Sequence, residues 1–173
     1  MRLHRLIRIL YPPRSISFCS SSSPPAGKEV KGSTRLLEIG DVLRECRRFS
    51  ASDVASYSEV TGDRNPVHLD ADFSRRVAGF EGGRIVHGML VASLFPSLIA
   101  SHFPGAIYVA QNLKFKLPVY VGEEVVAEVK AIYTKGIKNR FIAKFTTKCF
   151  TNQDCLVIDG EATTILPTLV LNK

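Results

Sequence analysis

The second half of the chain is written in alternation. Residues 106–119 (AIYVAQNLKFKLPV), 123–136 (EEVVAEVKAIYTKG), 139–151 (NRFIAKFTTKCFT) and 155–167 (CLVIDGEATTILP) each switch apolar and polar side chains at a period near two. That period predicts strands half-buried against a core. Gly122, Lys135–Gly136 and Asn152–Gln153 supply turn chemistry between them. A shorter alternating run at 41–49, opened by Gly40–Asp41, predicts a first strand. Two stretches carry helical spacing instead. Ser50 and Asp53 form an S-x-x-D capping box ahead of a helix over about 51–60, with Val54, Ala55, Tyr57 and Val60 spaced for one buried face and Gly62 as its C-terminal cap. The run IVHGMLVASLFPSLIASH predicts a helix over about 86–101, apolar nearly all round and so buried on most sides. Pro96 inside it removes an N–H and predicts a kink. Five or more antiparallel strands with one long helix against them make an α+β architecture. The open edge of such a sheet calls for a partner, and a symmetric homodimer would supply one.

Between the two helices lies the stretch that does not fit either period, TGDRNPVHLDADFSRRVAGFEGGRIVHG, residues 61–88. Gly62 permits a positive φ and Pro66 restricts Asn65, which predicts a bend followed by extended chain. Asp63 and His68 are thereby five residues apart on an irregular loop, a carboxylate and an imidazole in the arrangement general acid–base chemistry uses. Asp70 is placed to cap a short helix through Phe73 and Val77. Gly88 lies in the first turn of the following helix, where peptide N–H groups lack internal partners and can hold a developing oxyanion. Arg75, Arg76 and Arg84 cluster around GFEGG, either as contacts for a phosphate or as a solvated face.

Composition trims the alternatives. A length of 173 residues fits one domain with an extension. Arg2, Arg5, Arg8, Arg14 and Lys28 against Glu29 account for more than half of the net charge of +7. The remainder is ordinary, and without interleaved aromatic and basic residues it gives no nucleic-acid signature. Residues 1–28 are rich in Arg and Ser, lack acid, and place Leu3, Leu6, Ile7 and Leu10 on one helical face. That is the pattern of a mitochondrial transit peptide, so residues 1–34 are read as transit peptide and linker and 35–173 as the folded domain. No apolar run reaches the roughly 18 residues of a membrane span. Of the four cysteines Cys19 lies within residues 1–34; the remaining Cys46, Cys149 and Cys155 are odd in number with no C-x-x-C pair, which offers neither a disulfide scaffold nor a zinc site and fits a reducing matrix.

The run GDRNPVHLD followed by GGRIVHGML, and then YVAQNLKFKLPVYVGEEV, resembles the MaoC-like hydratases and dehydratases of hot-dog fold, over roughly residues 37–167. The family includes R-specific enoyl-CoA hydratases and mitochondrial (R)-3-hydroxyacyl-thioester dehydratases. The resemblance implies a sheet wrapped around the long helix, a homodimer, and no cofactor or metal. It implies catalysis by Asp63 and His68 with the Gly88 N–H on the thioester oxygen, and contributions to substrate binding from Asn65, Arg84 and Ile85. His87 is implied to be a structural donor. The reaction implied is loss of water from an (R)-3-hydroxyacyl thioester on acyl carrier protein, in mitochondrial fatty acid synthesis. Hydration of enoyl-CoA in degradation, or non-catalytic binding of acyl thioesters, are the alternatives. Which of Asp63 and His68 takes the C2 proton stays open, because the pair titrates as a unit.

Overall fold

A computed structural model describes residues 35–151 and 154–172. Five strands form one antiparallel sheet: β1 (Val42–Arg48), β2 (Ile107–Phe115), β3 (Glu124–Ile137), β4 (Arg140–Thr151) and β5 (Leu156–Leu166), in the order β1-β3-β4-β5-β2. The helices are α1 (Ala51–Thr61), α2 (Pro66–Leu69), α3 (Gly88–Ala92) and α4 (Leu94–His102), with a π-helical turn at Phe73–Val77. The expected α+β hot-dog arrangement is what forms. Helix α4 lies on β1 and β3, where Phe95, Leu98, Ile99 and Phe103 are buried over the inward residues Val125, Ala127, Val129 and Ala131 of β3. Alanines at 127, 131 and 143 leave room for the large helix side chains, so helix and sheet approach closely.

Several local expectations hold, and several need correction. The capping box is present in both directions: Ser50 Oγ accepts from the Asp53 N–H, and the Asp53 carboxylate accepts from the Ser50 N–H. Gly62 ends α1 at φ 76°, the left-handed conformation a glycine takes without strain. The buried stripe of α1 is Val54 and Ser58, whereas Ala55 and Val60 face outward. The long helix is not buried all round either, since Met89, Ser93, Ser97 and Ala100 form an exposed ridge. It breaks at Ser93, which ends α3 and begins α4, three residues before Pro96 as the missing N–H requires.

The first hairpin turn is shifted. Lys135 and Gly136 remain paired in β3, opposite Ile142 and Phe141, and the chain reverses at Lys138, which itself adopts a positive φ of 51°. The turn expected at Asn152–Gln153 and the segment 1–34 lie outside the described residues. Strand β2 is the sheet's second edge, and Ile107, Val109 and Phe115 along it are exposed.

Candidate active site

The pre-proline restriction holds at Asn65, at φ −57° and ψ 126°, but the chain beyond it does not run extended. Pro66 opens α2, where a missing N–H costs nothing, and Asn65 Oδ1 caps that turn by accepting from the Val67 N–H at 3.3 Å. One helical turn then carries His68 inward until it is buried. Asp63 stays outside, its side chain 53% exposed. A chain of short-range bonds holds it there: Thr61 Oγ1 donates to the Tyr57 carbonyl at 2.7 Å, the Asp63 N–H donates to Thr61 Oγ1 at 3.3 Å, and Asp63 Oδ1 accepts from the Asn65 N–H at 3.2 Å.

The His68 ring is set by a distant segment. Its Nδ1–H donates to the Ile85 carbonyl oxygen at 2.8 Å, which fixes the tautomer and leaves Nε2 with a bare lone pair. Ile85 is itself held by donating its N–H to Val67 O, and by its bridge to Tyr120. Burial pushes the His68 imidazole below its ordinary range, the Ile85 hydrogen bond works against this, and a charge on the neighbouring His87 would lower it again. Burial, the largest influence, thus favours the neutral ring against the opposing pull of the Asp63 carboxylate.

These groups line one cavity of about 440 Å³, whose walls are otherwise mostly apolar: Phe80, Ile85, Val91, Phe115, Leu117, Val119 and Ile158. Gly88 is the first residue of α3, so its N–H has no partner within the helix. It lines the same cavity. A side chain there would strike the Phe115 ring at 2.8 Å, so only glycine leaves the backbone open to this approach. Because the helix stops at Ser93, the polarity at Gly88 comes from the first peptide groups and not from a long aligned helix.

Of the six residues singled out in sequence, the fold brings Asp63, His68, Gly88 and Ile85 together around the cavity. Asn65 is exposed and spends its side chain on capping α2. Arg84 does not line the cavity, although its carbonyl anchors the Val121 N–H. Arg75 lies against Gly83, within 3.0 Å of where a side chain on that glycine would begin, and Arg76 is 4.0 Å from Asp72.

His87 brings a second imidazole to the site. It is buried, its ring stacks on His68 with centroids 3.7 Å apart and planes inclined by 27°, and its Nε2 lies 3.1 Å from the Asp63 carbonyl and 3.3 Å from Ser58 Oγ. Nothing local in the sequence marks Ser58 and His87 as neighbours.

Asp63, His68 and His87 bring ligand-type atoms within 4.8 Å of one another. Their geometry does not suit a metal. Each ring nitrogen bonds a cation in its own plane at about 2.1 Å, and two planes this near to parallel meet only well beyond that distance. The set fits proton transfer better.

The chain has relatives among known proteins. The model of the MaoC like domain matches residues 35–152. The chain is 56% identical over 150 residues to the mitochondrial 3-hydroxyacyl-[acyl-carrier-protein] dehydratase FERN of Solanum lycopersicum, covering 87% of this chain and 90% of that one. It is 51% identical over 158 residues to the mitochondrial 3-hydroxyacyl-[acyl-carrier-protein] dehydratase of Arabidopsis thaliana, covering 91% and 90%. Among solved structures it is similar to the (R)-hydratase from A. caviae involved in PHA biosynthesis, with TM-score 0.70 and 44% identity over 76% of this chain and 98% of that one.

Proposed function

Since the chain belongs to the MaoC-like family, we propose that it is a mitochondrial hydro-lyase that removes water from (R)-3-hydroxyacyl thioesters to give trans-2-enoyl thioesters. The observation that carries the assignment is the convergence of the Asp63 carboxylate and the His68 imidazole, within 4.8 Å, on the wall of an apolar cavity that Gly88 also lines.

The chemistry follows from the environments. The C2 proton becomes acidic only when the thioester carbonyl is polarised, and the Gly88 N–H is the donor for that oxygen. Loss of such a donor typically costs 10²–10³ in rate, on the order of magnitude seen for oxyanion holes. Neutral His68, with Nε2 bare, takes the C2 proton as the C2–H electrons form the C2–C3 double bond and the C3–O bond breaks. In a syn elimination the same imidazolium then returns its proton to the departing hydroxide, so water leaves and the base is restored. The Asp63 carboxylate faces the transient cation and stabilises it. The apolar walls receive the acyl chain.

The carrier of the substrate is acyl carrier protein on this reading, as the names of the two dehydratase relatives above suggest for their own substrates. A coenzyme A thioester is the second reading, favoured by the 44% identity to the (R)-specific enoyl-CoA hydratase of Aeromonas caviae. Residues 1–34 serve as transit peptide and linker, consistent with the family match beginning at residue 35. A second copy covers the exposed apolar edge of β2.

The test compares turnover of crotonyl thioesters on carrier protein and on coenzyme A, followed by loss of the enoyl absorbance. Higher kcat/KM on carrier protein supports the first reading, and the reverse order supports the second. No turnover of either by the purified chain overturns the enzyme assignment and leaves a binding protein.

A further inference from the structure

We propose that His87 is the positioning residue of this site, the side chain that sets Asp63 and His68 against each other, with Ser58 holding His87 in turn. The inference rests on the dehydratase reading and gives the structural donor implied by the resemblance a defined task and partners. His87 meets each working group by a different route. Through Nε2 it reaches the Asp63 carbonyl oxygen at 3.1 Å, so the ring nitrogen is the donor and the proton is on Nε2. Through its face it stacks on His68, centroids 3.7 Å apart. Through the chain it immediately precedes Gly88, as the N-cap of α3. Tyr57 closes the far side, ring centroids 5.0 Å away and tilted by 52°.

The polar inventory of the ring supports this over simple packing. With Nε2 donating, Nδ1 is a bare acceptor, fully buried and without a hydrogen-bond partner. An unmet buried acceptor destabilises the fold, and a phenyl ring of similar shape would avoid the penalty. An imidazole is needed only if its one engaged nitrogen matters, and what that nitrogen holds is the backbone of Asp63. The carbonyl it grips is one bond from the Asp63 Cα, so its position sets where the carboxylate stands relative to the His68 ring. The carboxylate itself remains 4.0 Å from Nε2 and outside hydrogen-bonding distance, free for the reaction.

The experiment separates ring from donor. His87→Phe keeps the stack and removes the N–H, while His87→Gln removes the stack and keeps an N–H in reach. With crotonyl thioester and the full mature chain, His87→Phe is expected to lower kcat at least tenfold with KM changed less than about threefold. His87→Gln should recover part of that loss. Ser58→Ala, which removes one neighbour of Nε2 and little volume, should lower kcat severalfold at unchanged KM. A folded His87→Phe with kcat within twofold of wild type overturns the inference, as does a His87→Gln no better than His87→Phe. If His87→Phe does not fold, unchanged kcat in Ser58→Ala overturns it. Wild-type turnover is measured alongside, so failure of the dehydratase reading itself shows separately, as an inactive wild type.

Discussion

The two sides of the cavity are built on different principles. The outer rim, residues 61–65, is assembled from bonds that span four residues or fewer, Thr61 to Tyr57, Asp63 to Thr61, Asn65 to Asp63. The inner wall is assembled from bonds that span 17, 24 and 29 residues, His68 to Ile85, His87 to Asp63, Ser58 to His87. Water reaches the rim carboxylate and is kept from the wall imidazole. One site thus holds an anion that is solvated and a base that is kept neutral by desolvation. A local turn brings the first to the rim, and one long-range bond from His87 sets it there. Only the completed fold tunes the second.

The largest expected effect comes from erasing the contrast. Asp63→Asn and His68→Ala should each lower kcat by roughly 10²–10⁴ while the circular dichroism spectrum stays that of the native sheet; near-wild-type rates in both would remove the pair from the reaction. Next is the wall's open backbone. Gly88→Ala drives a methyl group toward the ring of Phe115, a contact with a side chain and not with backbone, so the fold survives. The donor is displaced, and kcat should drop on the order of 10- to 100-fold. Equal losses in thermal stability and rate would mean the glycine serves packing alone.

Smaller, and confined to the wall, is the response to acid. The folded-state pKa of His68 lies below its ordinary value of 6.5, with burial the first cause. Below pH 6.5 the unfolded chain takes up a proton that the folded chain resists, so this contribution to stability is full above that pH and is lost as pH falls through the folded value. Melting temperature should therefore fall on acidification less steeply in His68→Asn than in wild type, and parallel slopes would exclude His68 as the cause. The smallest change tests the local logic leading to the rim. Ser50→Ala deletes a reciprocal cap and should destabilise by about 1 kcal/mol in urea unfolding, with kcat unaltered.

That division also explains what could be read from the residues. The strands, the cap at Ser50–Asp53, the left-handed Gly62 and the meeting of Asp63 with His68 all follow from spacing or from turn chemistry. The helical turn at 66–69 is signalled by Asn65 and Pro66, a cap followed by proline; the extended backbone that proline imposes stops at Asn65 itself. Gly136 drew the expected hairpin two residues early, because a lysine at positive φ carries no mark. Val60 satisfies helical spacing yet faces solvent, since which side of α1 is covered is a tertiary property. The pairing of Ser58 with His87 had no local trace at all.

The Ile85 carbonyl that chooses the His68 tautomer sits at the end of a short strap. A tight turn bonded from Gly83 to Phe80 precedes it, and the Ser74 hydroxyl clips it to the Gly83 carbonyl at 2.7 Å. Deleting one residue between 79 and 83 would touch neither the carboxylate nor the imidazole. It would nonetheless drag the Ile85 oxygen out of register, free the ring to flip, and offer substrate the wrong nitrogen. The protonation pattern of the catalytic base is in this sense a matter of loop length, and homologous chains that differ there would diverge in rate before they diverge in fold.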